Sequence, residues 1–246
     1  MELKYIKNEK DNYKNVNDVL NKKFNISTRL QTKLINKKLI KLNNSICDTR
    51  TEITNKDIIT INFNYEEDNS NIIPTKIPLD IIYEDDWLLI INKPAGIAVH
   101  PSILHFNDSL CNGIKYYYDN INLKKKIRPV NRLDKNTSGL VVFAKCEYIQ
   151  ECLIKQMQNK QFQKEYLAIT NGIFKNKKGT INLPIGRKDG SIIERCISEN
   201  GQKSITHYEV LQEFNELSLV KCNLETGRTH QIRVHMAKIS HPLLRR

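Results

Sequence analysis

Residues 130–145 read VNRLDKNTSGLVVFAK, a polar turn that leads directly into an apolar strand. Thr137, Ser138 and Gly139 are residue types that favour tight turns and close approach of the backbone. Asp134 therefore lies at the entrance of a strand, with Arg132 two residues before it. Because a neighbouring positive charge keeps a carboxylate ionised, this arrangement suits a carboxylate that serves as a nucleophile or as a base.

Three further segments combine an apolar element with conspicuous polar residues. They read YEDDWLLIINKPAGIAVHP at residues 83–101, QKEYLA at residues 163–168 and LETGRTHQIRVHMA at residues 224–237. In order and spacing, the four segments resemble the catalytic motifs of the RluA-type RNA pseudouridine synthases, whose central pattern is H-R-L-D-x-x-T-S-G-L-x-x-x-A-K. Asn131 stands where that family usually has histidine.

The resemblance implies a reaction and the residues that perform it. The N1–C1′ bond of a uridine breaks, the uracil turns, and a C5–C1′ bond forms, with no cofactor or metal. Asp134 would act at C1′, either as a nucleophile or as a base, and Arg233 would keep it ionised. Tyr166 would stack on the flipped uracil and help to deprotonate C5. Arg132 would help to extrude the target base, and Arg228 would contact the RNA.

The composition limits the classes of protein that the chain can represent. A formal net charge of +12 and a pI of about 9.3 favour a polyanionic partner, nucleic acid first. The six cysteines form no C-x-x-C pair and the six histidines lack metal-ligand spacing, which argues against a zinc or iron–sulfur site. A polar N-terminus and the lack of an apolar run near ~20 residues predict a cytoplasmic protein without a membrane span. We expect a monomer.

Residues 14–63 are predicted to form a small α/β domain of their own. The spacing of apolar residues predicts two helices, with Ser27 or Thr28 as the cap of the second helix. Residues 26–44 resemble the S4-like RNA-binding domain, and this stretch carries no acidic residue. Its basic residues are therefore candidates for RNA contact. These candidates are Arg29, Lys33, Lys37 and Lys38.

A linker and a larger domain are predicted to follow. Residues 64–79 lack periodicity and contain two prolines, which is typical of a linker. Over residues 80–246 the strand patterns outnumber the helical ones, which argues for an α+β domain on a mixed, mainly antiparallel sheet. By resemblance this is the pseudouridine synthase domain with its central cleft. Since the family pattern continues beyond the HPLL of residues 241–244, we expect a C-terminally shortened catalytic domain.

Within this larger domain the apolar patterns predict strands and helices at definite positions. The predicted strands span residues 88–91, 140–144, 166–170, 205–211 and 217–224. The predicted helices span residues 147–158 and 229–238.

Two classes of function compete for this sequence. The first is an RNA pseudouridine synthase acting on structured RNA, most simply large-subunit ribosomal RNA, with transfer RNA as the nearest variant. The second is an RNA-binding remnant without activity, which the shortened C-terminus would favour. The presence of Asp134, Tyr166 and Arg233 favours the enzyme. A basic protein of the membrane surface lacks support, since no amphipathic segment carries bulky aromatic residues on one face.

Overall fold

The computed structural model describes residues 1–103, 105–191 and 193–244. It divides into two compact units, Met1–Lys155 and Gln156–Arg246. Each unit is described below by itself.

The first unit begins with one small antiparallel sheet and continues with a second. Its strands are β1 (Glu2–Ile6), β2 (Ile40–Leu42), β3 (Ser45–Ile46), β4 (Ile58–Asn62), β5 (Ile81–Glu84), β6 (Leu88–Lys93), β7 (Arg128–Pro129) and β8 (Gly139–Ala144). Its helices are α1 (Val16–Asp18, continued by a π-helical turn Val19–Lys23), α2 (Thr28–Asn36), α3 (Leu110–Asn120) and α4 (Glu147–Gln158), the last of which ends just beyond the boundary between the units.

The first sheet has the strand order β1-β4-β2-β3 and packs against α1 and α2. Alternation along β4 buries Ile59 and Ile61 completely, as expected for a strand with one face on a core. The Ser27 hydroxyl accepts a hydrogen bond from the Leu30 backbone N–H and so caps α2, which confirms the predicted cap. The resulting core also contains Cys146, with Trp87, Tyr148 and Ile149 packed against it.

The second sheet has the order β5-β6-β8-β7 and packs on α3. Strands β6 and β8 run antiparallel, with Leu88 opposite Ala144 and Lys93 opposite Gly139. The end of β6 therefore lies beside the start of β8. This register brings the turn after Lys93 next to the turn that contains Asp134.

The second unit is built on a sheet of order β10-β13-β14-β9. Its strands are β9 (Lys164–Asn171), β10 (Lys178–Asn182), β11 (Ile185–Arg187), β12 (Arg195–Ile197), β13 (Ile205–Phe214) and β14 (Leu217–Leu224), and its helix is α5 (Gln231–Lys238). The helix lies against β12 and β13. Met236 from α5 joins Val220 and Cys222 from β14 in the core of the unit.

The architecture confirms the predicted α+β class, and each predicted strand and helix of the larger domain is present. The helix predicted at 147–158 has those bounds, and the one predicted at 229–238 begins two residues later. The sheet was expected to be mixed, but the ladders between the described strands are all antiparallel. Strand β1, helix α3 and strands β10–β12 were not predicted.

Residues 64–79 form neither helix nor strand, but they are not a loose connection. The Glu67 carboxylate is 3% exposed and accepts two hydrogen bonds from the Arg128 guanidinium, at 2.8 and 2.6 Å. The Glu67 backbone N–H also donates to the Lys124 carbonyl. The boundaries of the predicted domains stay a prediction. In the described part of the chain, no helix is long and apolar enough to cross a membrane.

Candidate active site

Asp134 lies in a tight turn whose ends are fixed by the backbone. The Thr137 N–H donates to the Asp134 carbonyl over 3.0 Å, and the Gly96 N–H donates to the Lys135 carbonyl over 2.8 Å. Gly139 closes the turn with a φ of +125°, a conformation that residues with a side chain rarely adopt. The side chain of Asp134 is half-buried, so the turn presents a carboxylate that solvent and a ligand can both reach.

A buried lysine holds this turn against the preceding one. Lys93 is 0% exposed, and its ammonium donates to the carbonyl oxygens of Pro94, Ile97 and Lys135 at 2.8, 2.9 and 3.1 Å. Burial lowers the pKa of Lys93, and the negative charge of Asp134 opposes that shift. Its three carbonyl partners give it a structural role, with its charge near the Asp134 carboxylate.

Asn131 ties the same turn to β8. Its side-chain amide donates to the Leu140 carbonyl at 3.0 Å and its oxygen accepts from the Val142 N–H at 2.8 Å. The residue that departs from the family pattern thus bonds twice to the main chain of the neighbouring strand. Arg132 is exposed, and its charge adds to the desolvation that lowers the pKa of His100.

Tyr166 lies in β9 of the second unit, opposite Cys222 of β14. Its ring is half-buried and packs against the core of that unit, together with Ala168. The alternate residues Leu167 and Ile169 face the other side of the sheet and are exposed. The strand therefore places the Tyr166 ring on the face that also carries α5.

The segment that contains Arg228 and Arg233 forms a loop followed by α5. Arg233 is exposed on the helix, while Gln231 and His235 on the same helix are buried. His230 precedes the helix with a φ of +58°, in the left-handed region. The Arg228 backbone N–H donates to Gln231 Oε1 at 3.0 Å. The two arginines are thus presented by a loop and a helix that buries the polar side chains of Gln231 and His235 beside the apolar Met236.

A second cation lies beside Arg228. Burial lowers the pKa of the half-buried Lys164 at the start of β9, and the positive charge of Arg228 lowers it further. The Lys164 ammonium also lies against Gly227, 3.2 Å from the position that a Cβ would take there. Two like charges held so close favour an anion such as a phosphate group between or above them.

The basic candidates on α2 divide into two kinds. Arg29, Lys37 and Lys38 are exposed. The Lys33 ammonium instead pairs with Glu147 at 2.9 Å and with Glu67 at 3.3 Å. Its charge is therefore balanced within the protein.

The basic run at residues 124–128 is also largely engaged inside the first unit. The Lys125 ammonium donates to the carbonyls of Phe63 and Tyr65, at 2.5 and 2.7 Å. Lys124 pairs with Glu66 at 2.9 Å. With Arg128 bound to Glu67, most of the charges of this run have partners within the first unit.

The predicted site residues are distributed over both units. Asp134 and Arg132 belong to the first unit, and Tyr166, Arg228 and Arg233 belong to the second. Among residues 1–103, 105–191 and 193–244, no group of three or more His, Cys, Asp and Glu side chains could hold a metal ion.

The residues that hold the turn and the loop of the site in place were not predicted from the sequence. Gln231 and His235 are four residues apart in a helix, and this i, i+4 spacing puts them on one face. Alternation with apolar neighbours could have marked that face as the buried one. Lys93 carried no such signal, because lysine is seldom buried.

Comparisons with known proteins identify the family to which most of this chain is similar. A family model described as RNA pseudouridylate synthase matches residues 87–238. The uncharacterized RNA pseudouridine synthase YhcT of Bacillus subtilis is 46% identical over 180 residues, which are 72% of this chain and 60% of that protein. Ribosomal large subunit pseudouridine synthase D of Escherichia coli is 37% identical over 204 residues, 82% of this chain and 62% of that protein.

A solved structure gives the same answer for the fold. Human RNA Pseudouridylate Synthase Domain Containing 1 superposes with a TM-score of 0.57 at 26% identity, over 68% of this chain and 67% of that one. The chain spans a little over 60% of the length of the two bacterial relatives. The matched residues include the Asp134 turn, β9 and the segment from Arg228 to Arg233. The chain therefore belongs to the RNA pseudouridylate synthase family, among its RluA-type members.

Proposed function

We propose that the protein isomerises uridine to pseudouridine in structured RNA, with large-subunit ribosomal RNA as its substrate. The observation that carries the proposal is the half-buried Asp134 carboxylate, which lies in a turn whose Lys135 carbonyl is bonded by Lys93, within the residues that the family model matches. The names of several relatives refer to the large ribosomal subunit, which supports that choice of substrate. Transfer RNA is the alternative substrate.

The reaction needs three tasks from side chains. The Asp134 carboxylate acts at C1′, as a nucleophile or as a base, while the N1–C1′ bond breaks and the C5–C1′ bond forms. Arg233 supplies the positive charge that keeps the carboxylate ionised. The Tyr166 ring stacks on the uracil, and its hydroxyl takes part in removing the C5 proton. The product has the composition of the substrate, so no cofactor or metal is required.

RNA contact involves exposed cations of both units. Arg132 fills the place of the flipped base, and Arg228 with Lys164 holds a phosphate. Residues 14–63 act as an S4-like RNA-binding domain through Arg29, Lys37 and Lys38. Lys33 holds helix α2 in place through its ion pairs. In this scheme residues 64–79 connect that domain to a catalytic domain of residues 80–246. The protein works as a monomer in the cytoplasm.

Release of tritium from RNA labelled with [5-³H]uridine tests the proposal. Ribosomal RNA and transfer RNA are offered separately to the wild type, to Asp134→Ala and to the control Asp86→Ala, which alters an exposed carboxylate. We expect release from ribosomal RNA by the wild type and the control, and none by Asp134→Ala. Release from transfer RNA alone would mean that transfer RNA, and not ribosomal RNA, is the substrate. RNA binding without release by folded protein would mean an inactive RNA-binding protein.

A further inference from the structure

Buried polar side chains hold α5 and the loop before it, and they have no part in the chemistry above. Thr206 and His235 are 0% exposed and Gln231 is 3% exposed. Gln231 and His235 lie one helical turn apart on α5. Both bond to the hydroxyl of Thr206 in β13, at 3.0 and 2.9 Å.

The contacts allow one arrangement of protons around a neutral imidazole. His235 Nε2 lies 3.0 Å from the Leu183 carbonyl oxygen, which can only accept, so Nε2 carries a hydrogen. Nδ1 then accepts the hydroxyl hydrogen of Thr206. The Thr206 oxygen in turn accepts from Gln231 Nε2. The direction of each hydrogen bond is therefore set by one histidine tautomer.

The other end of the Gln231 amide reaches the loop that carries Arg228. Gln231 Oε1 accepts from the Arg228 backbone N–H at 3.0 Å and from the Thr226 hydroxyl at 2.8 Å. Thr226 also accepts from the Ile205 N–H at 3.0 Å. Loop, helix and strand are thus joined through a single buried side chain.

A polar connection of this kind specifies position more narrowly than apolar packing. Apolar contacts let a helix slide or turn slightly, whereas hydrogen bonds constrain both distance and direction. Arg233 lies between Gln231 and His235 in sequence, on the exposed side of α5. Fixing those two residues therefore also fixes the backbone position from which the Arg233 side chain extends.

We propose that Thr206, Gln231 and His235 are positioning residues that set Arg228 and Arg233 for the isomerisation, an inference that rests on the proposed function. None of the three touches the RNA. Their effect on the reaction passes through the two arginines.

The central hydroxyl provides the test. Thr206→Val removes it at nearly constant volume, whereas Thr206→Ser keeps it. For tritium release from ribosomal RNA we expect kcat to fall between about 10-fold and 100-fold in Thr206→Val, since small misplacements remote from the chemistry have effects of this size. Thr206→Ser should stay within about threefold, and the Kd for RNA should change less than about threefold in both variants.

Nuclear magnetic resonance of ¹⁵N-labelled histidine gives a readout that is independent of turnover. The wild type should show His235 as the neutral tautomer with hydrogen on Nε2. Thr206→Val should move the Nδ1 signal, and Thr206→Ser should restore it. A charged His235 at pH 7.5, or hydrogen on Nδ1 alone, would overturn the proposal.

Activity that is equal in Thr206→Val and Thr206→Ser, whether both are reduced or both intact, would also overturn it. If Thr206→Val fails to fold by near-UV circular dichroism, His235→Gln and His235→Met make the same comparison, because glutamine supplies a donor and an acceptor and methionine supplies neither. A wild type that releases no tritium defeats the proposed function itself. An active wild type with an unaffected Thr206→Val defeats the positioning role alone.

Discussion

The Asp134 turn and the loop before α5 both present charged side chains, but they are held differently. In the first, Lys93 and Asn131 bond to main-chain atoms of the turn and of its neighbouring strand. In the second, Gln231 joins the Arg228 backbone to Thr206 and so to His235. In the first turn, each holding side chain bonds directly to main-chain atoms. A loop that is held by a series of hydrogen-bonded side chains is sensitive to the loss of any one of them.

Lys93→Met removes the holding group of the first loop and has the largest expected effect. Three carbonyl oxygens lose a charged donor, and this outweighs the relief of removing a buried charge. We expect the free energy of unfolding to fall by about 3 kcal/mol, together with tritium release. Urea unfolding measures the change, and the exposed Lys126→Met is the control. A loss below about 1 kcal/mol would show that the carbonyls find other donors.

The glycines of the two loops sharpen the comparison. Gly139 has a φ of +125°, and an added Cβ would lie 3.8 Å from Leu133, an ordinary contact distance, so Gly139→Ala is strained by its backbone alone and should cost about 2 kcal/mol. Gly227 is not among the glycines with positive φ, and an added Cβ would meet only the tip of Lys164. Gly227→Ala should cost less than about 0.5 kcal/mol. Thermal unfolding of both variants tests this expectation. Equal losses of stability would contradict the backbone strain assigned to Gly139→Ala.

Asn131→Ala tests the second bond of the Asp134 turn to its strand. The Val142 N–H and the Leu140 carbonyl both lose a partner, so we expect a loss of about 1.5 kcal/mol in unfolding free energy. Asn136→Ala, in the same turn but exposed, is the matched control and should be neutral. The idea fails if the two variants unfold at the same denaturant concentration.

The second loop should respond to pH where the first does not. Burial lowers the pKa of His235 below its usual 6.5, so the unfolded chain binds a proton more readily than the folded one. The contribution of His235 to stability should be fully present above about pH 6.5 and should be lost as the pH drops through the lowered folded value. His100 has the same sign of shift and contributes to the same window.

His235→Gln should therefore flatten the pH dependence of unfolding below about pH 6.5, leaving the part due to His100. His100→Gln is the counterpart and should remove the other part of the slope, because burial and the charge of Arg132 lower the pKa of His100. Carboxylates such as Glu67, whose pKa is lowered, lose their contribution at more acidic pH and do not enter this window. An unchanged slope in His235→Gln would remove this difference between the two loops.

The elements that could be predicted are those whose pattern is local. Strand β8 and helix α4 each show one clear apolar period, and their predicted and observed bounds agree within one residue. Helix α3 was missed because a glycine and three consecutive tyrosines obscure its apolar face. Strand β1 was not predicted although Leu3 and Tyr5 alternate with polar residues as in a half-buried strand, because it lies before residues 14–63, where the first domain was predicted.

The sequence predicts candidates for the catalytic residues but does not predict the residues that hold them in place. Asp134, Tyr166 and Arg233 each follow from a motif whose own residues are contiguous in sequence. The burial of Lys93 depends on carbonyls of residues up to 42 positions away. The pairing of Lys33 with Glu147 spans 114 positions. Such partners come together only in the fold, and no local pattern announces them.

The core shared by residues 14–63 and α4 has a consequence for how this protein can be divided. The Phe63 ring stacks on Tyr148 with centroids 5.5 Å apart, and the Ser27 hydroxyl donates to Glu151 over 2.6 Å. A truncation that removes the residues before 64 would expose aromatic side chains. It would also leave Glu147 without its partner Lys33. The N-terminal segment is therefore not an interchangeable module. Any expression boundary, domain swap or fusion placed within residues 64–79 would cut through a single core.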